Sequence, residues 1–86
     1  MIKIVDEKGN NVPANNSWAS KNIGGLCVGV NEEDLSISLE NYEFCLILKR
    51  GVGLIEGVKF CILSTEHTLN ASLTYGLEKL EIDIYK

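Results

Sequence analysis

No apolar run in this sequence approaches a membrane span. A stretch such as Cys45-Leu46-Ile47-Leu48 falls far short of the ~20 residues a spanning helix needs. Histidine is nearly missing: His67 is the only one, and it sits in the polar stretch Ser64-Thr65-Glu66-His67-Thr68, which reads as a connector. Cys27, Cys45 and Cys61 lie far apart, without the closely spaced pairs that mark zinc ligands. Their odd number suits reduced thiols better than a disulfide framework. No Gly-x-Ser-x-Gly elbow is present. Gly51-Val52-Gly53 followed by Gly57 lacks the Gly-Lys-Ser/Thr ending of a phosphate loop. The carboxylates show no spacing that singles out an acid/base pair. These absences predict no catalytic residue, no metal, no cofactor and no enzyme.

Positive charge is also scarce. Twelve acidic residues against eight basic ones leave a net charge of -4. That balance disfavours direct binding to nucleic-acid backbone or to an anionic membrane surface. The first residues, Met1-Ile2-Lys3-Ile4-Val5-Asp6, show no basic segment followed by an apolar run, and a cytoplasmic location is the expectation.

What is present is alternation. The 86 residues suit a single domain over 1–86, and the 45% hydrophobic content is that of a globular chain. From Leu69 to Glu78, Leu69, Ala71, Leu73, Tyr75 and Leu77 alternate with polar residues or glycine, the period of a half-buried strand. The phase flips near Glu78-Lys79, after which Leu80, Ile82 and Ile84 alternate with Glu81, Asp83 and Tyr85. A phase flip is what a turn between two strands produces. Helices near 66–78 or 31–42 are the alternatives; Gly76 and the Ser36-Ile37-Ser38 sequence count against them.

Opposed residues in an antiparallel pair share a face, and this selects pairings. A loop at Gly51 to Ile55 would set Phe44 against Ile62, Leu46 against Phe60 and Leu48 against Val58. A tight turn at Glu40-Asn41 would set Ile37 against Phe44. A loop at Asn31 to Asp34 would set Val28 against Ile37. A loop at Gly76 to Lys79 would set Leu73 against Ile82. The spacing therefore predicts strands at 2–5, 26–30, 35–39, 42–49, 57–63, 69–75 and 80–85. The fold expected is a mainly β antiparallel meander of about six to seven strands, closing into a small sandwich or barrel. The polar segment from Ala14 to Gly25, with its lone Trp18, reads as a long loop.

Three surface features carry the functional expectation. Glu32, Glu33, Asp34, Glu40 and Glu43 make two hairpin ends acidic and suit contact with a basic protein surface. Trp18 is a candidate contact in its polar loop. Cys45, Ile47, Cys61 and Leu63 point away from the core face of the proposed 42–49/57–63 hairpin, with Cys45 and Cys61 opposed. A strand apolar on both sides needs cover on both, from the chain itself or from another. The expectation is a small non-catalytic protein-binding module. Small acidic chains of this type recur among phage and mobile-element inhibitors. The alternatives are a structural or assembly subunit forming a homo-oligomer such as a homodimer, and a small ligand-binding protein or Cys/His enzyme.

Overall fold

The computed structural model describes residues 2–5, 8–12 and 18–85. They form ten strands and no helix, so the helices considered for 66–78 and 31–42 are replaced by strands and turns. In chain order the strands are β1 (Ile2–Val5), β2 (Asn11–Val12), β3 (Trp18–Ile23), β4 (Leu26–Asn31) and β5 (Ser36–Glu40). They continue with β6 (Cys45–Leu48), β7 (Gly51–Ile55), β8 (Val58–Ser64), β9 (Thr68–Tyr75) and β10 (Glu78–Tyr85). Two antiparallel sheets pack as a sandwich: a six-stranded sheet, β2-β1-β10-β9-β8-β7, and a four-stranded sheet, β3-β4-β5-β6.

The core lies between the sheets, and each inner strand supplies it with alternate residues. Phe60 and Ile62 on β8, Leu69 and Leu73 on β9, and Leu80, Ile82 and Ile84 on β10 are buried from one side. Val28 and Val30 on β4 and Ile37 and Leu39 on β5 are buried from the other. Phe44, Leu46 and Leu48 are partly buried and pack against this cluster.

Three hairpins form between the expected segments, with slipped registers. Val28 pairs with Leu39 rather than Ile37. Leu73 pairs with Leu80 rather than Ile82. Ile37 pairs with Leu48 rather than Phe44. Every slip is by an even number of residues, so each side chain keeps its face. The slips come from the turns. Asn31 Oδ1 accepts hydrogen bonds from the N–H groups of Glu33 (2.9 Å) and Asp34 (3.2 Å), and Leu35 is drawn into the turn at φ 51°. Asn41 repeats the device, accepting from Glu43 (2.7 Å) and Phe44 (3.0 Å). Such side chain–backbone bonds are what make asparagine a turn residue.

Two expectations are corrected. The 42–49/57–63 hairpin does not form. Glu56 and Gly57, at φ 52° and 80°, make a two-residue turn of the primed kind. That turn folds Gly51–Ile55 back on β8 as a strand, where a loop was expected. Lys49 and Arg50 form the bend between β6 and β7, and so carry the chain from one sheet to the other. The polar segment 14–25 is likewise not all loop. Trp18–Ile23 pairs with β4 through a turn at Gly24-Gly25, at φ 52° and 80°, positions that favour glycine. Residues 14–17 of that segment lie outside the described residues.

Burial predicts sharply different costs for two leucines on one hairpin. Leu80 is fully buried, whereas Leu77 projects wholly into solvent at the β9–β10 turn. Leu80→Ala is expected to lose about 2–5 kcal/mol of unfolding free energy. Leu77→Ala is expected to stay within about 0.5 kcal/mol of the parent. Urea denaturation of both variants measures the difference.

Candidate functional site

The antiparallel ladder sorts the polar and apolar outer surfaces. On the outer face of the six-stranded sheet, Val52 lies opposite Cys61, Cys61 opposite Ser72, and Ser72 opposite Glu81. The adjacent row runs from Leu54 through Lys59 and Thr74 to Lys79. A third joins Leu63, Asn70 and Asp83. The face is therefore polar over β9 and β10 and apolar at its β7–β8 margin. Val52 is 77% exposed, Leu54 69% and Leu63 64%. Large aliphatic side chains gathered this way on one margin mark contact surfaces more often than isolated ones do.

Beside this margin lies a shallow open depression lined by Cys61, Leu63, Asn70, Ala71, Ser72, Glu81 and Asp83. Its polar side is already paired. Asn70 Nδ2 donates to Asp83 Oδ1 at 2.7 Å, and Lys79 Nζ meets Glu81 Oε1 at 2.9 Å. His67 is not among its lining residues; it stands in the exposed β8–β9 turn, 4.0 Å from Glu66. Among the described residues, no group of three or more His, Cys, Asp or Glu side chains is placed to share a metal ion. The chemistry this surface offers is apolar contact with a polar flank.

The main chain of β7 adds a second element. In a two-residue hairpin the flanking pair, here Ile55 and Val58, exchanges both hydrogen bonds. Bonded pairs then alternate along the ladder, which makes Gly53–Phe60 and Gly51–Ile62 the next ones. Val52 and Leu54 therefore turn their N–H and C=O groups away from β8, along the open side of the sheet. β7 ends the strand order on that side. Edge strands of this kind commonly carry charge, proline or a bulge that blunts them. Gly51-Val52-Gly53-Leu54-Ile55 carries no charge or proline and pairs with β8 without a register break. Its glycines face Phe60: a Cβ at Gly53 would stand 3.1 Å from the ring's Cζ.

The residues singled out from sequence are placed as follows. Glu32, Glu33 and Asp34 occupy the β4–β5 turn, and Glu40 and Glu43 flank the β5–β6 turn at the other end of that hairpin pair. Trp18 begins β3 opposite Asn31, which puts its backbone beside the first acidic turn; its side chain lies outside the described residues. Cys45 and Ile47 lie on β6 of the four-stranded sheet, whereas Cys61 and Leu63 lie on β8 of the six-stranded sheet. The four do not form one face, and Cys45 does not oppose Cys61: its partner is Glu40. All four are exposed, so of the two covers considered, the chain itself or another chain, the described residues of the chain do not supply one. Val52 and Leu54 lie in the segment expected to be a loop, so that expectation does not single them out. Their signal was the alternation Arg50, Val52, Leu54, Glu56 ahead of Gly57.

Comparison with family models, with curated proteins and with solved structures finds no match to this chain.

The three thiols are free, with Cys45 and Cys61 exposed and Cys27 partly buried. A thiol reagent is expected to label Cys45 and Cys61 quickly in the native protein and Cys27 more slowly. Mild oxidation is expected to leave Cys45 and Cys61 without an intramolecular disulfide, since they sit on different sheets; peptide mapping by mass spectrometry checks this.

Proposed function

We propose that this chain is a non-catalytic protein-binding module that engages another protein through the β7 edge and the apolar margin beside it. The observation that carries the reading is the coincidence of exposed Val52, Leu54 and Leu63 with an uncharged edge strand. Strand addition to such an edge takes its affinity from main-chain hydrogen bonds and its selectivity from alternate side chains. Here those side chains would rest against Val52 and Leu54. The acidic turns belong to the four-stranded sheet rather than to β7 and offer a separate contact for a basic protein surface, which speeds encounter and excludes acidic competitors.

The test is retention of proteins from the native host on the immobilised chain. Val52→Lys combined with Leu54→Lys is expected to abolish retention of the partner while leaving the fold intact, since both side chains are exposed. Reversal of Glu32, Glu33 and Asp34 to lysine is expected to weaken retention and flatten its salt dependence. A partner held equally well by the Val52→Lys/Leu54→Lys chain would overturn the assignment of the surface.

A further inference from the structure

We propose that the β7 edge is occupied by the β7 edge of a second copy of this chain, antiparallel about a two-fold axis through Gly53. This rests on the reading of β7 as a contact surface and names its occupant. Isologous pairing requires a strand that complements itself when reversed, and β7 with its flanks does so. With Gly53 opposite its counterpart, Val52 of each copy faces Leu54 of the other. These are the two residues whose N–H and C=O groups point outward, so each pair exchanges both hydrogen bonds. All four side chains then lie on one outer face as a single aliphatic patch. Just beyond the strand ends, Arg50 in the bend before β7 and Glu56 in the turn after it bring a base of each copy to the same end of the pairing as an acid of the other. Neither forms an ion pair within its own chain among the described residues.

The charged ends also select the register. Sliding the pairing by two residues sets Arg50 against Leu54, or Val52 against Glu56, and a slip by one places unlike faces together. Only the Gly53-centred register matches aliphatic with aliphatic and base with acid. It would join two six-stranded sheets into one continuous sheet. β6, the neighbouring edge of the other sheet, is shorter, and Ile47 on it serves as a control.

The experiment is sedimentation equilibrium over a range of concentrations. The wild-type chain is expected to form a dimer that dissociates on dilution. Arg50→Glu alone and Glu56→Arg alone are each expected to weaken it about tenfold, because two attractive cross-strand charge pairs become repulsive. Mixing those two variants is expected to restore dimer as a heterodimer, since the introduced charges again meet their opposites. Leu54→Pro removes one outward N–H that the ladder to β8 does not use, and is expected to give a folded monomer by circular dichroism. Ile47→Lys is expected to leave the dimer unchanged. A wild-type monomer at every concentration overturns the proposal, as does a dimer that responds to Ile47→Lys and ignores the Arg50 and Glu56 reversals. A monomer whose retained partner is still lost on Val52→Lys/Leu54→Lys substitution would refute the second copy and leave the binding surface standing. A monomer with no partner sensitive to those substitutions would refute both.

Discussion

Two facing sheets sit about 10 Å apart, and that gap has to be filled by alternate side chains from both. The rest of the molecule follows from this filling. It fixes which residues of β8, β9 and β10 turn inward, and it leaves their neighbours Cys61, Leu63, Asn70, Ser72, Glu81 and Asp83 on the outer face. It makes Phe60 the bulky residue under the β7 glycines. It also tolerates Leu35 at φ 51°, because placing that leucine in a strained turn lets it remain buried. A core shared by two sheets leaves no room for a buried polar site. Ser36 is the single buried polar residue among those described.

Function is thereby confined to outer faces, turns and edges, and the charges are not spread evenly over them. Acids gather at the turns of the four-stranded sheet. On the six-stranded sheet β10 carries Glu78, Lys79, Glu81 and Asp83 and β8 carries Lys59, whereas β7 has no charge. The two edge strands joined through Lys49 and Arg50 carry no charge of their own, whereas the turns of the four-stranded sheet are anionic. That polarity is a property of the folded chain. Along the sequence the same residues are interleaved.

The face of each residue was legible in the sequence, whereas the partner of each strand was legible only in part. A period of two assigns Leu69, Leu73, Ile82 and Ile84 to the core whatever the register, because even slips do not change sides. The strand at 42–49 was ambiguous for the same reason. Leu46 and Leu48 would satisfy either Ile37 and Leu39 or Val58 and Phe60. What decided between them was local: the Glu56-Gly57 turn and the bend at Lys49-Arg50. Glutamate at a positive φ gives no clear turn signal in a sequence, whereas Gly24-Gly25 does, and it closes a hairpin rather than only leading into a strand. The outward orientation of Cys45, Ile47, Cys61 and Leu63 followed from parity alone. That they belong to two sheets did not, and neither did the place of Val52 and Leu54 on the edge beside β8.

The glycines of β7 have one more consequence. Two of the three positions that this strand turns inward, Gly51 and Gly53, carry no side chain. The third, Ile55, is itself 38% exposed, so detaching β7 withdraws no member of the buried core and leaves no large hole behind. The free energy of such a partial opening falls at the low end of the range within a domain. The sandwich thus has a preferred place to come apart, and β8, rich in buried apolar side chains, is the strand that would then be laid bare.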